Sequence, residues 1–323
     1  MLNCPDIRVI DCTIRDGGLA NNFNFDDKFV KAVYIACVDA GVDYMEIGYK
    51  ASKKAFSRLD HGKWKFSDED DIKKIVESRN SRLKLSAMVD TGRTDYHEDI
   101  LPKSQSVIDM IRVAFYSHQL SEAVDIVKDA HDKGYETAAN LMASSLLNES
   151  ELNNVLDTLA TTEVNVIYLV DSYGAYYPET IKDLTRKYLE YGRQTGKAVG
   201  IHAHNNQQLA FANTIKALHA GAKYLDATIS GLGRGAGNCP LELLIGFLKN
   251  PKYDVLPILH CSQEYVDPLR KEVRCGFDTS YMLTGQFNMH PQLAVDFLNG
   301  EDNTNYLAFY DSILYRSAEQ QKI

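Results

Sequence analysis

The stretch Ala123-Val-Asp-Ile-Val-Lys-Asp-Ala-His-Asp-Lys-Gly134, followed by Tyr135-Glu-Thr-Ala-Ala-Asn-Leu141, holds one complete structural unit. Ala123, Ile126, Val127 and Ala130 recur at helical spacing and form one apolar face. Gly134 then ends the helix, because glycine tolerates the left-handed turn a helix terminus needs. The run Glu136–Leu141 reads as a strand.

The same alternation extends in both directions. Further strands are predicted at Arg8–Asp11, Tyr44–Ile47, Leu83–Val89, Val107–Val113, Asn165–Val170, Ala198–His202 and Tyr224–Ile229. Phe29, Val33, Ile35 and Ala36 form a second helical face, and Ile181, Leu184, Tyr188 and Leu189 a third. Glycines follow at Gly41 and Gly221, each just before the next strand. Eight strand–helix units of roughly 30 residues predict an α/β fold, a closed (β/α)8 TIM barrel. A doubly wound open sheet is the structural rival. The first strand is followed by no GxGxxG, and eight repeats suit a barrel better. The barrel is expected to span residues 1–250. Residues 251–323 break the rhythm and are rich in Tyr, Leu and Phe, with Pro257, Pro268 and Pro291 as breaks. They read as a helical segment that packs on the barrel or forms an interface.

Composition narrows the function classes. Of 323 residues, 45% are hydrophobic and 24% charged, which is globular rather than disordered. A formal net charge of −9 argues against a nucleic-acid partner, because phosphate binding needs a concentrated basic surface. No apolar run reaches the length of roughly 20 residues that a membrane span needs. Met1–Ile10 lacks the basic and apolar regions of a signal peptide. Cys4, Cys12, Cys37, Cys239, Cys261 and Cys275 form no CxxC pair and read as reduced thiols. A cytoplasmic location is expected.

In a barrel of this kind the active site lies at the C-terminal ends of the strands. The polar residues there are Arg15 and Asp16 after strand one, Glu46 on strand two, Asp90 after three, Arg112 on four, Asn140 on five and Asp171-Ser172 after six. Strand seven gives His202-Ala-His204-Asn205, and strand eight runs into Gly231-Leu-Gly-Arg-Gly-Ala-Gly-Asn238. Residues i and i+2 of a strand share a face, so His202 and His204 can reach one ion. The pair is either structural or, with the Asp16 carboxylate, two neutral histidines of an open divalent-metal site, and Asp16 at the same barrel mouth favours the metal. Arg15 is either a strand-end ion pair or the support of an enolate oxygen developing beside the ion. The glycines at 231, 233, 235 and 237 either make a flexible turn or let backbone N–H groups approach an anion.

Three motifs carry a resemblance. Asp11-Cys-Thr-Ile-Arg-Asp-Gly17, Ile201-His-Ala-His-Asn205 and Gly231-Leu-Gly-Arg-Gly-Ala-Gly-Asn-Cys-Pro-Leu-Glu242 resemble the metal-dependent TIM-barrel lyases and synthases, the HMG-CoA lyase-like superfamily. Within it, the pattern is most similar to the 4-hydroxy-2-oxovalerate aldolase branch, and it covers roughly residues 7 to 248. The resemblance implies Asp16, His202 and His204 as metal ligands and Arg15 as the enolate-stabilising arginine. It implies substrate or metal-shell roles for Glu46, Ser172 and Asn238. Gly276-Phe-Asp-Thr-Ser-Tyr281 is similar to a segment that lends a tyrosine to the pocket.

The chain departs from this pattern at one place. The aldolase branch has a catalytic histidine three residues beyond the metal aspartate, where this chain has Leu19, which cannot accept a proton. His290, in Asn288-Met-His-Pro291, is the replacement named by the sequence, with Tyr281 and His61 behind it. The loop Tyr49–Phe66, which carries Lys, Arg, His and Trp, suits a polar or phosphorylated aldehyde.

The expected activity is that of a divalent-metal-dependent aldolase, a carbon–carbon lyase joining a pyruvate-type enolate to an aldehyde. The rivals are an acyl-CoA-dependent Claisen synthase of the citramalate or isopropylmalate type and a non-catalytic metal-binding scaffold. The ion is expected to be Mn²⁺ or Mg²⁺, with Co²⁺ or Zn²⁺ also admissible. Partners are a 2-oxo acid and an aldehyde, with a homo-oligomer, a dimer, as the assembly.

Overall fold

In the computed structural model, which describes residues 6–76 and 82–320, eight parallel strands close on themselves. They are β1 (Arg8–Asp11), β2 (Tyr44–Tyr49), β3 (Lys84–Asp90), β4 (Met110–Phe115), β5 (Glu136–Leu141), β6 (Val166–Asp171), β7 (Ala198–Ala203) and β8 (Tyr224–Ala227). Closure is made by β1 against β8, with Arg8 opposite Tyr224 and Asp11 opposite Ala227. The open-sheet alternative is thereby excluded.

The quoted unit folds as its pattern dictates. Ala123, Ile126, Val127 and Ala130 of the helix Leu120–Asp132 are fully buried, and Gly134 carries a φ of 96°. The other two helical faces are buried except at Ile35 and Leu184, which lie partly at the surface. Of the six cysteines, Cys4 lies outside the described residues and the other five are free thiols. No helix among the described residues is long and apolar enough to cross a membrane.

Several segments differ from the sequence reading. Strand β4 starts at Met110 and not at Val107, and β2 runs on to Tyr49. A helix, Thr13–Asn21, starts directly after β1 although its sequence shows no amphipathic spacing. Its Ile14, Arg15 and Asp16 are all buried, so tertiary contacts hold it rather than one apolar stripe. The eighth strand stops at Ala227 because Thr13 Oγ1 accepts the Ile229 N–H (2.9 Å) and draws the chain out of the ladder. Pro257 and Pro291 begin helices rather than break them, in the first turn of Leu256–Cys261 and at the cap of Gln292–Asn299, where the missing N–H is no loss. Pro268 lies in Asp267–Arg270, which continues directly from the π-helical turn Ser262–Val266.

The strand periodicity also builds the inside of the barrel in layers. Tyr44, Met110 and Tyr168 belong to an apolar inner cluster that fills the lower barrel. Two residues further along their strands, Glu46 and Arg112 point inward at the next level, joined by Asp226 of β8. The main apolar core extends past the barrel strands to Ile258, Cys261 and Val266. A second cluster, including Tyr281, Leu283, Leu298 and Ile313, forms among the last helices with Ala236 of the glycine turn.

Candidate functional site

The alternation of β7 sends His202 inward and His204, one residue beyond the strand, to the same side. Asp16 meets them from the helix after β1, and one ligand atom of each of the three lies within 4.8 Å of the others. Asp16 Oδ2 is 3.1 Å from His202 Nε2 and 3.8 Å from His204 Nε2. Both imidazoles are tied down through the opposite nitrogen. His204 Nδ1 donates to the Asp171 carbonyl (3.0 Å), and His202 Nδ1 faces Asp226 Oδ2 (2.9 Å). Anchoring Nδ1 in this way orients the ring and turns each Nε2 towards the common centre.

The glycine turn closes the site from above. Its Arg234 N–H reaches Asp16 Oδ1 (3.3 Å), so a backbone donor approaches a carboxylate. A Cβ at Gly233 would lie 2.2 Å from Asn238 Nδ2 and 3.2 Å from Asp16 Oδ1, so only glycine lets the turn sit this low. Asn238 is buried, with its Oδ1 unpartnered.

Beneath the three residues runs a closed circuit of ion pairs. Arg15 bonds Asp16 (2.7 Å) and Glu46 (2.7 Å), Arg112 bonds Glu46 (3.0 Å) and Asp226 (2.5 Å), and Asp226 returns to His202. Three carboxylates face two guanidiniums, so the ring has room for a further positive charge. The proton equilibria agree. Burial alone would raise Asp16, but Arg15 and the two histidines outweigh it and hold it well below the usual carboxylate range. Burial would likewise lower His202, yet Asp16 and Asp226 raise it, whereas His204 is pushed down to about 3, chiefly by burial. The donor set therefore attracts a cation: one carboxylate, two anchored imidazoles and a negative surplus fit a divalent ion.

Comparison with known proteins places this geometry. The sequence profile described as HMGL-like matches residues 6–262. The chain belongs to the HMGL-like family. An oxaloacetate decarboxylase of Mycobacterium tuberculosis is 31% identical over 75% of this chain and 69% of its own length. A 4-hydroxy-2-oxovalerate aldolase of Thermus thermophilus is 31% identical over 81% of this chain and 75% of its own. Among solved structures, the N-terminal domain of a candidate aldolase from Bacteroides vulgatus superposes with a TM-score of 0.81 at 29% identity. It covers 94% of this chain and 100% of that one.

In this HMGL-like chain a cavity of about 240 Å³ opens over the histidines. Arg15, Leu19, Ser172, His202, His204 and His290 line it. Glu46 is fully buried behind Arg15 and takes no part in the lining, so it positions the guanidinium rather than touching a ligand. Tyr281 is also placed otherwise than the sequence suggested. Its ring packs against Gly235 and joins the C-terminal apolar cluster, away from the cavity wall. His61 lies tilted against Phe56, outside the lining. Ser172 Oγ accepts the Ala143 N–H (2.9 Å).

His290 reaches the wall but in a form that changes its reading. Its Nδ1 accepts the Gln292 N–H (3.0 Å), so the neutral ring carries its proton on Nε2. Burial lowers its pKa and keeps it neutral. Such a ring fits a hydrogen-bond donor better than a base. Sequence reasoning missed Asp226 altogether and gave Arg112 no role. The signal was available in strand parity, since Asp226 stands two residues beyond the inward Tyr224. Lys65 and Arg93, which also line the cavity, carried no motif, and Arg234 stood in the glycine motif without a role of its own.

Asp171 supports the site from below, its carbonyl holding His204 and its carboxyl accepting the Ala175 N–H (2.9 Å). Burial pushes that carboxyl up to about 7 from 3.8. The native state therefore holds a proton that the unfolded state releases, and this contribution to stability is lost as pH rises from about 4 to 7. Asp171→Asn, which never ionises, should melt higher than the parent at pH 8 and gain nothing at pH 4. Parallel melting curves at both pH values would contradict this sign.

Proposed function

We propose that this chain is a divalent-metal-dependent aldolase that forms or cleaves the bond between a pyruvate-type enolate and an aldehyde. The observation that carries the reading is the convergence of Asp16, His202 and His204, each histidine anchored through Nδ1, directly beside Arg15. A divalent ion held there would polarise the ketone of a 2-oxo acid and lower the cost of its enolate. Arg15 Nε and Nη1 are fixed by Glu46 and Asp16, so the guanidinium meets the developing enolate oxygen without reorganising. Ser172 and the Nε2–H of His290 offer donors to substrate oxygens along the wall. The proton of the cleaved hydroxyl is assigned to Asp90, a cavity-lining carboxyl raised by burial against the pull of Lys65 and Arg93.

Mn²⁺ or Mg²⁺ is the ion expected, with Co²⁺ and Zn²⁺ compatible with the nitrogen donors. A dimer is the expected assembly, and the exposed Leu307, Leu314 and Tyr315 of the last helix support an interface there. The direct test supplies pyruvate, an aldehyde and Mn²⁺ to chelator-treated protein and measures the 4-hydroxy-2-oxo acid formed. Free thiol released from acetyl-CoA and pyruvate would favour the Claisen branch instead. No turnover with any pair would leave the metal-binding scaffold.

One observation favours a second reading, β-decarboxylation of a 2-oxo dicarboxylic acid. Leu19 stands in the cavity wall, and loss of CO₂ yields the same enolate with no hydroxyl proton to remove.

Arg15→Lys keeps the charge but loses the planar fork that holds Asp16 and Glu46 at once. Under either reading, kcat should fall about 10²-fold, the scale of a lost oxyanion donor. Near-parental turnover would reduce Arg15 to a structural ion pair.

A further inference from the structure

The loop after β2 is rich in cations, and nearly all are spent on carboxylates. Lys50 pairs with Glu69 (3.2 Å), Lys53 with Asp68 (2.8 Å), and Lys54 with Asp95 (2.9 Å) and Glu98 (2.8 Å). Arg58 pairs with Asp68 and Lys63 with Asp27. These contacts tie the loop's cations to neighbouring carboxylates.

Lys65 is different. It is 5% exposed, lines the cavity, and makes no ion pair among the described residues. Its ammonium instead sits over three rings, 4.3 Å from the centre of Tyr49, 4.5 Å from Phe56 and 5.2 Å from Phe23. Aromatic faces favour a cation, but they replace only part of the hydration a buried ammonium gives up. Burial accordingly pulls its pKa down, with Asp90 opposing. Arg93, from the turn after β3, lines the same wall and is likewise without an ion pair among the described residues. Asp90 is one carboxylate against these two cations. The local excess is positive in a chain whose net charge is −9, so it is a property of this wall and not of the composition.

Its position gives the excess a meaning. The barrel order puts β3 four strands from β7, across the mouth from the histidines. A ligand whose 2-oxo acid end lies at Asp16, His202 and His204 would extend its other end towards Lys65 and Arg93. The cavity of about 240 Å³ limits that ligand to a small molecule.

We propose that Lys65, aided by Arg93, forms a subsite for a carboxylate or phosphate at the far end of the substrate, so that the acceptor aldehyde is an anion. The assignment of this anion to an aldehyde rests on the aldolase reading above. The subsite itself rests on the unpaired, caged cation.

The test compares three aldehydes with pyruvate in the Mn²⁺-loaded protein. Propanal is neutral, succinic semialdehyde carries a carboxylate, and glyceraldehyde 3-phosphate carries a phosphate. The charged aldehyde of the right class should be preferred in kcat/KM. Lys65→Met should reduce that preference ratio about tenfold or more, the scale of a lost charged hydrogen bond, and Lys65→Arg should keep most of it. A second readout needs no turnover: succinate or inorganic phosphate should raise the melting temperature of the parent and not of Lys65→Met. Unchanged ratios together with unchanged ligand-dependent melting would overturn the subsite and leave Lys65 as a loop anchor. If no aldehyde reacts yet the anion still raises Tm in the parent alone, the subsite stands and the aldolase reading falls. Should Lys65→Met fail to fold, Arg93→Gln, at an exposed position, is measured in the same two ways and should lose part of the ratio and of the shift.

Discussion

His204→Ala is expected to lose the metal ion and turnover together while the barrel stays folded. On the proposed reading the imidazole would supply one of three ligand atoms, and its other polar contact is the bond to the Asp171 carbonyl. Loss of that single bond should destabilise the fold by only about 1 kcal/mol. The effect on the ion is far larger. Removing a group that merely orients a ligand lowers affinity or activity about 10- to 100-fold, so removing the ligand itself should exceed that and take kcat down about 10³-fold or more. Arg15 and His202 remain to hold Asp16, so the carboxylate is not left bare in the barrel. Metal content, kcat and the melting temperature of the same preparation decide the matter. An alanine variant that keeps a full equivalent of ion would show that the histidines serve the structure and not a metal centre.

The reason this site could be read at all is that its key signal is local. A histidine on a strand and another two positions further along share a face by parity alone, and the strand was legible because Val199 and Ile201 are the buried, outward alternates. The eight-fold rhythm was legible for the same reason, since each helix face and each glycine turn is encoded within about 20 residues of its strand. What escaped depends on closure. Asp226 meets Arg112 and His202 only because β8 returns to the neighbourhood of β1 and β7, a pairing that no window of sequence contains. The helix Thr13–Asn21 is held by contacts on all sides and so shows no stripe to read. Tyr281 was drawn to the pocket by a segment likeness, whereas its ring is taken up by the last helices and the glycine turn. Among the loop cations, sequence showed the number but not the partners. Only the geometry separates Lys65 from its paired neighbours.

Restoring a histidine at position 19 should be the most informative change in the reaction itself. Asp16 and Leu19 are three residues apart in the helix Thr13–Asn21 and so share a face, and Leu19 already lines the cavity. An imidazole there would stand beside the ion site with a nitrogen able to accept a proton, unlike His290, whose accepting Nδ1 is occupied by the Gln292 N–H. A positioned proton acceptor contributes about 10²- to 10⁴-fold. If Asp90 is the acceptor in the parent, Asp90→Asn should lower aldol cleavage by about 10²-fold or more, and adding Leu19→His to it should return a large part of the loss. His290→Ala, which removes a donor and not a base, should cost no more than about tenfold, the scale of one hydrogen bond to a polar substrate oxygen. Exchange of the pyruvate methyl protons measures enolisation separately from carbon–carbon cleavage, so a change confined to cleavage identifies the hydroxyl proton as the one affected. An Asp90→Asn variant that cleaves as fast as the parent, alongside a His290→Ala variant that does not cleave, would return the base to His290 and require its ring to give up the Gln292 bond during turnover. Decarboxylation offers the contrasting case: it removes no hydroxyl proton, so under that reading all three substitutions should leave the rate of CO₂ release far less changed than Arg15→Lys does.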